Sequence, residues 1–324
     1  MIPRIKLAHL PTPIESLTRL SEVLEGPQIL VKRDDQTGLA FGGNKTRKLE
    51  YLLADAQVSG AELLITGGAV QSNHCRQTAA AANKMGFNSV LVLVGERPEN
   101  VSGNLLLNRF LGAGIVWAGD KQRDLVLRQT YEKSLREGKK PYLIPYGGSN
   151  VLGASAYTFA MQEMLDQNED VDWVVFASSS GGTQAGLVVG AQMFGYQGSL
   201  LGISIDEQAG ELKKRVATLA GETAQFLGID GSFSGDQVLV NDDYLGDGYG
   251  IMGEAEVEAL QLFSRYEGLF LDPVYTGRAA AGMIDLIRKG FFSAEERVLF
   301  WHTGGTPALF ANPYVNQLSY GLDG

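Results

Sequence analysis

An α/β fold, with parallel sheets covered by helices, is predicted from three observations. Short apolar runs alternate with amphipathic stretches through most of the chain. The runs are short and apolar enough to read as strands buried on both faces. Glycines, 41 in all, cluster after several of these runs, where backbone must approach something closely.

Taken in order, buried strands are expected at Ile29–Lys32, Glu62–Thr66, Ser89–Val94, Gly114–Trp117, Tyr142–Pro145, Trp173–Ala177, Leu200–Ser204 and Arg297–Trp301. Helical periodicity fills the intervals at Lys45–Val58, Asn73–Met85, Gly103–Leu111, Gln122–Glu137, Ala154–Leu165, Gln184–Met193, Gly253–Tyr266 and Gly277–Lys289. Residues 49–153 contain four strand–helix units by themselves. They are expected to form a small α/β domain inserted into a larger one built from residues 1–48 and 154–324. There is no internal repeat, low-complexity tract or flexible linker.

Composition narrows the function. With 324 residues, 44% hydrophobic and 20% charged, the chain can bury a sizeable core. A formal net charge of -10 repels nucleic acid and anionic membrane, so neither is expected as a partner. The first ten residues lack the apolar run of a signal peptide, and no run approaches the ~20 residues of a membrane span. Cys75 is the only cysteine, so no intrachain disulfide can form, and a cytoplasmic location is expected.

Five segments could carry chemistry. In Gly42-Gly43-Asn44-Lys45-Thr46-Arg47-Lys48-Leu49, the buried helical face is set by Leu49, Leu52, Leu53 and Ala56. Lys45 lies four residues before Leu49, on that face, whereas Arg47, Lys48 and Glu50 are expected to point elsewhere. Burial and the helix N-terminus would both favour a neutral amine, as a Schiff base requires. A surface lysine snorkelling beside two other cations fits the same residues.

The second segment, Thr66 to Arg76, leaves a strand and opens an alanine-rich helix. Ser72 and Asn73 occupy N-cap positions, where free amides can hold a carboxylate, or Ser72 simply caps the helix. His9, His74 and His302 have no metal-ligand spacing, so no metal site is expected, and Cys75 reads as a packed thiol. The third, Ser178 to Gly186, places the amides and hydroxyls around Ser180 and Thr183 where they can cradle a phosphate. A dinucleotide site is the runner-up, but the G-x-G-x-x-G spacing is absent, and no G-x-x-x-x-G-K-[ST] P-loop exists. The fourth and fifth, Leu271–Arg278 and Trp301–Phe310, leave extended segments and enter helices, as ligand-lining strand ends do in open α/β sheets.

Together these residues resemble fold-type II pyridoxal-5′-phosphate (PLP) enzymes, whose architecture is tryptophan synthase β-like: two open twisted sheets flanked by helices. More narrowly they resemble the D-cysteine desulfhydrase / 1-aminocyclopropane-1-carboxylate (ACC) deaminase family. The resemblance runs from Leu10-Pro11-Thr12-Pro13 to His302-Thr303-Gly304-Gly305 and is specific in its ordered Gly-Gly-Asn-Lys, Gln-Ser-Asn-His and Ser-Gly-Gly-Thr segments. It implies Lys45 as the Schiff-base lysine and Asn73 as the partner of the cofactor's phenolic oxygen. It implies Ser180, Gly181, Gly182 and Thr183 as the phosphate loop, and Thr276 as the partner of the pyridine nitrogen. Ser72 is implied at the substrate side, with Asn73 and His74, and Tyr249 and Tyr275 as active-site tyrosines. A homodimer is also implied.

Two departures bear on the reaction. ACC deaminases carry Glu where this chain has Thr276, and a hydroxyl there favours a neutral ring, which suits β-elimination of a good leaving group. Relatives usually have Val-Pro after Tyr-Gly, where this chain has Tyr249-Gly250-Ile251-Met252-Gly253. The expected reaction is therefore β-elimination on a small amino acid: the amine released from Lys45 removes the α-proton, and the products are pyruvate, ammonia and the leaving group. D-Cysteine, losing sulfide, is the first choice, followed by L-cysteate and ACC. A non-catalytic PLP- or amino-acid-binding protein, or a nucleotide-dependent enzyme using the Ser178–Thr183 loop, are the rivals from other classes.

Overall fold

The computed structural model describes residues 2–119, 122–312 and 314–320. Ten strands run in chain order: β1 Ile14–Ser16, β2 Gln28–Lys32, β3 Leu63–Ala69, β4 Asn88–Val94, β5 Gly114–Ala118, β6 Pro141–Leu143, β7 Trp173–Ser178, β8 Ser199–Ser204, β9 Leu239–Asn241 and β10 Arg297–Trp301. They form a six-stranded sheet, β1-β2-β10-β7-β8-β9, and a four-stranded sheet, β5-β4-β3-β6. Every pairing is parallel except β1 with β2. The predicted two-sheet α/β architecture is therefore present, and every predicted strand coincides with an observed one within a few residues.

The eight predicted helices are also present. In chain order the helices are α1 Thr18–Leu24, α2 Asn44–Val58, α3 Asn73–Met85, α4 Gly103–Phe110, α5 Arg123–Arg136, α6 Val151–Asp166, α7 Gly182–Phe194, α8 Ala209–Leu227, α9 Glu254–Glu267, α10 Thr276–Arg288 and α11 Tyr314–Tyr320. The sequence reading lacks α1, α8 and α11 and the short strands β1 and β9. The periodicity of α8 is there in Leu212, Val216, Leu219, Ala220 and Thr223, all buried. Its two glycines, Gly210 and Gly221, stand in open space and do not break it. The fifth segment ends in a 3₁₀ turn, Thr306–Phe310, rather than an α-helix.

Helix α2 corrects a second expectation. Arg47, Lys48 and Glu50 do not point to solvent but are 3%, 1% and 0% exposed. The helix lies against α3 and α6 and is buried continuously from Thr46 to Ala54, so each polar side chain in that stretch must find a partner inside. Leu49, Leu52, Leu53 and Ala56 pack with Leu64, Ala81, Ala82 and Ile144 beneath the small sheet. Arg47 forks onto Asp34, with Nη2–Oδ1 2.8 Å and Nε–Oδ2 2.9 Å, and onto Glu163 of α6. Lys32 from the end of β2 completes the network, 2.7 Å from Glu163 Oε1. Glu50 accepts from the amides of Leu7 and Ala8, tying down the N-terminal segment.

Burial alone would raise the Asp34 carboxyl, but the facing Arg47 outweighs it and holds Asp34 below the usual carboxylate range. Replacing Arg47 by Met would leave that carboxylate buried without its cation. The expected cost is about 3–5 kcal/mol at neutral pH, read from urea unfolding. A depressed carboxyl contributes stability above its unfolded pKa and loses it as pH falls through the folded one. The deficit of Arg47→Met should therefore shrink toward acid, and equal stability at neutral pH would contradict the account.

Candidate active site

Four strand ends, two from each sheet, meet at one cavity. The turn after β3 supplies Ser72, Asn73 and His74, and the turn after β6 supplies Tyr146 and Gly147. The turn after β7 supplies Ser179, Ser180, Gly181 and Thr183, and the segment after β10 supplies Thr303 and Gly304. Lys45, from the first turn of α2, lines the same cavity. This is where the open ends of parallel strands leave room for a ligand.

Lys45 Nζ donates to the carbonyl of Gly147 at 3.2 Å, and Lys48 Nζ reaches the same oxygen at 3.3 Å. Two adjacent amines with no carboxylate beside them cannot both hold a proton cheaply. Burial lowers Lys45 to about 8. Burial, and then the neighbouring Lys45, push Lys48 well below the ordinary lysine range. The neutral amine that covalent capture of a carbonyl requires is thus brought within reach at mildly alkaline pH.

The loop after β7 is a phosphate cradle by its backbone. Gly181 has φ +82°, and α7 begins directly behind it. A Cβ on Gly182 would stand 2.5 Å from Ser149 Oγ, so only glycine brings the two loops this close. Gly182 itself does not line the cavity, and its amide donates to Ser149 Oγ at 3.2 Å. Ser149 Oγ is 2.8 Å from Ser180 Oγ, and Lys48 Nζ lies 3.5 Å from Ser149 Oγ. Amides and hydroxyls are therefore backed by the buried Lys48 amine, which the sequence reading places away from the buried helical face.

Ser72 accepts from the Cys75 amide at 3.2 Å, so it caps α3 while facing the cavity. Asn73 lines the cavity beside it. His74 is buried, and its Nε2 is 3.0 Å from the hydroxyl of Thr66. Burial pushes this imidazole well below its usual range, so it is a neutral wall and not a charge. Cys75 is buried and pushed up to about 12, as expected of a packed thiol.

Tyr275 lines the cavity, whereas Tyr249 stands at its rim, 37% exposed, with its hydroxyl 2.7 Å from that of Tyr275. Burial raises both phenols, so both stay protonated. The loop holding Tyr249 keeps its shape without proline. Arg278 donates to the carbonyls of Gly248 and Ile251, Tyr314 donates to that of Gly250, and Met252 is buried in the core.

Thr276 is not brought to the cavity wall. Its hydroxyl donates to Asp272 Oδ1 at 2.8 Å, and Asp272 also accepts from the amides of Val274, Tyr275 and Thr276. The proton of Thr276 is thus committed to the start of α10. The hydroxyl on the wall is that of Thr303, which has no hydrogen-bond partner among the described residues. Sequence reasoning missed Thr303, although it stands inside the His302-Thr303-Gly304-Gly305 segment. It also missed Tyr146, Gly147 and Ser149, which the glycine pair after β6 could have signalled.

The residues fit a phosphorylated aldehyde cofactor: a buried amine of lowered proton affinity, a glycine-built phosphate cradle and free donors converge on one cavity. Comparison with known proteins agrees. The family described as pyridoxal-phosphate dependent enzyme matches residues 5–304. The D-cysteine desulfhydrase of Klebsiella pneumoniae subsp. pneumoniae is 43% identical over 318 residues, covering 95% of this chain and 96% of the relative. A crystal structure of an ACC deaminase homologue superposes with TM-score 0.90 at 37% identity, covering 99% of this chain and 97% of that one. A fungal L-serine ammonia-lyase from Rhizomucor miehei shares the fold, with TM-score 0.70 at 15% identity, covering 97% of this chain and 98% of that one.

With Lys45 lowered to about 8, capture of added pyridoxal phosphate by the cofactor-free protein should accelerate as pH rises through that value. Stopped-flow absorbance reads the rate. A midpoint near the ordinary lysine pKa, about 10.4, would show that burial does not tune this amine.

Proposed function

The chain belongs to the pyridoxal-phosphate dependent enzyme family, and from that premise we propose that it removes sulfide from D-cysteine by β-elimination, yielding pyruvate and ammonia. Its cofactor is pyridoxal phosphate and its substrate a small amino acid. The observation that carries the reading is the placement of Lys45 between the phosphate cradle and the Ser72–Asn73 helix start. Sequence identity to the Klebsiella desulfhydrase over nearly the whole chain supports the choice of substrate.

When bound, the cofactor supplies an electron sink for the charge left at the α-carbon. The residues of the chain do the rest. Lys45 would hold the cofactor through its aldehyde carbon, and its Nζ is the group that would take the α-proton. Ser180, Gly181 and Thr183, with Lys48 behind them, hold the phosphate, and Gly182 holds the loop closed on Ser149. Ser72 and the amides at the start of α3 hold the substrate carboxylate. Asn73 donates to the cofactor's ring oxygen. Tyr275, steadied by Tyr249, stands protonated where it can donate to the departing sulfur. The hydroxyl of Thr303, rather than that of Thr276, serves the pyridine nitrogen. No carboxylate lines this cavity among the described residues, which favours a neutral ring and elimination of a good leaving group.

The same reading takes residues 49–153 as the small domain and residues 1–48 with 154–324 as the large one, assembled as a homodimer in the cytoplasm. The strands of the small sheet all fall within 63–143, and no described helix is long and apolar enough to cross a membrane. Sedimentation at micromolar protein tests the dimer.

Incubation with D-cysteine, L-cysteine, L-cysteate and ACC, assayed for pyruvate, sulfide, sulfite and α-ketobutyrate, tests the reaction. Sulfide and pyruvate from D-cysteine with little turnover of ACC is expected. Sulfite from L-cysteate as the main product would make the protein a sulfo-lyase, and efficient α-ketobutyrate release would make it an ACC deaminase. Inactivity on all four, with cofactor bound, would favour a binding protein. Borohydride should fix the cofactor to the peptide containing Lys45, and Lys45→Ala should lose this label and essentially all turnover.

A further inference from the structure

Arg76, on α3 one turn after Asn73, is fully buried. It differs from the other two fully buried arginines. Arg47 is paired with Asp34 and Glu163, and Arg278 with Glu256. Arg76 has no carboxylate in salt-bridge range among the described residues. Its Nη1 donates to Asn73 Oδ1 at 2.9 Å and to Asn104 Oδ1 at 2.6 Å, and its Nη2 donates to the Gly42 carbonyl at 3.0 Å. Its Nε is buried without a partner. A buried cation offset only by neutral dipoles is costly to keep. Burial lowers this guanidinium to about 9, against the ordinary value of 12.5, so its protein surroundings disfavour its charge.

The consequence falls on Asn73. Its side-chain oxygen accepts from Arg76 Nη1 and also from Asn104 Nδ2 at 2.9 Å. Asn104 is itself fixed, with its amide donating to Gln71 Oε1 and its Nδ2 to the Gln71 carbonyl, both at 2.8 Å. Flipping Asn73 would set its NH₂ against two donors. The amide is therefore locked with its NH₂ away from Arg76, on a residue that lines the cavity. A fixed donor with an unneutralised cation one turn behind it is built for an anion.

We propose that Arg76 is a positioning residue for the cofactor: it locks Asn73 with NH₂ toward the cofactor's ring oxygen and supplies the positive field that keeps this oxygen a phenolate. The inference rests on the reading of Asn73 as the partner of that oxygen. Other charged or titratable groups around the cavity are Lys45 and Lys48 from α2, His74 from α3, Tyr146 after β6, and Tyr275 with Asp272 before α10. Asp272 is the carboxylate whose charge reaches Arg76, and its oxygens are occupied by the start of α10.

The test is a pH titration of the visible absorption of the holoenzyme, together with cofactor retention on dilution. A positive charge and a donor at the ring oxygen both favour loss of the proton shared between that oxygen and the imine nitrogen. Removing them should raise the midpoint. Arg76→Met is expected to move it upward by about one pH unit and to weaken cofactor retention about tenfold. Asn73→Ala should give a similar shift, and the double variant little more, because the two act as one unit. Arg76→Lys should restore much of the midpoint by keeping the charge. Should Arg76→Met fail to fold, Asn104→Leu, which removes one lock on Asn73 without touching the charge, should still shift the midpoint upward. A purely structural Arg76 would lower the melting temperature and leave the midpoint alone, and that result overturns the proposal. An unmoved midpoint in Asn73→Ala overturns it too, by removing Asn73 from the cofactor. Neither readout involves substrate, so failure of the D-cysteine reading would leave this result standing.

Discussion

The buried fork of Arg47 on Asp34 and Glu163 is the interaction on which the active site depends. It ties the first turn of α2 to the end of β2 and to α6 at once. Lys45 and Lys48 flank Arg47 in sequence, so fixing the arginine on one side of the helix directs the two lysines to the other. A helix start with one neutralised cation and two unneutralised amines results. The amines are then held together on one backbone oxygen, that of Gly147.

This division of charge extends through the site. The chain is acidic, with a net charge of -10, yet three basic groups that face or back the cavity, Lys45, Lys48 and Arg76, have no carboxylate partner among the described residues. The cations that serve the fold, Arg47 and Arg278, are paired within the protein. A phosphorylated cofactor supplies the anionic charge that the site lacks. Placing its phosphate beside Lys48 and its ring oxygen near Arg76, as proposed, would offset part of the cost of burying those basic groups.

Proline is not required to hold the loop around Tyr249. Where relatives carry Val-Pro, this chain relies on tertiary contacts: Arg278 on the carbonyls of Gly248 and Ile251, and Tyr314 on that of Gly250. Arg278 lies on the same helix start as Tyr275, so one element places both tyrosines of the rim pair.

The sequence by itself determined the sheets, because apolar runs and their spacing depend on local composition, and it marked three of the four glycine-rich strand ends that meet at the cavity, those after β3, β7 and β10 but not the one after β6. It also marked Lys45, Ser72, Asn73 and the Ser180–Thr183 loop, since glycine and capping residues carry their conformational reasons locally. Only the tertiary structure decided what lies behind them. Lys48 and Arg47 read as pointing away from the buried face, because nothing local reveals that α2 is covered on all sides from Thr46 to Ala54. Thr276 and Thr303 are both threonines after extended segments, and only the hydrogen bonds of Asp272 show which hydroxyl is free. Arg76 looks like an ordinary helix arginine until Asn104, 28 residues later, is brought against it. Partners distant in sequence settle whether a buried charge is neutralised, and no periodicity records that.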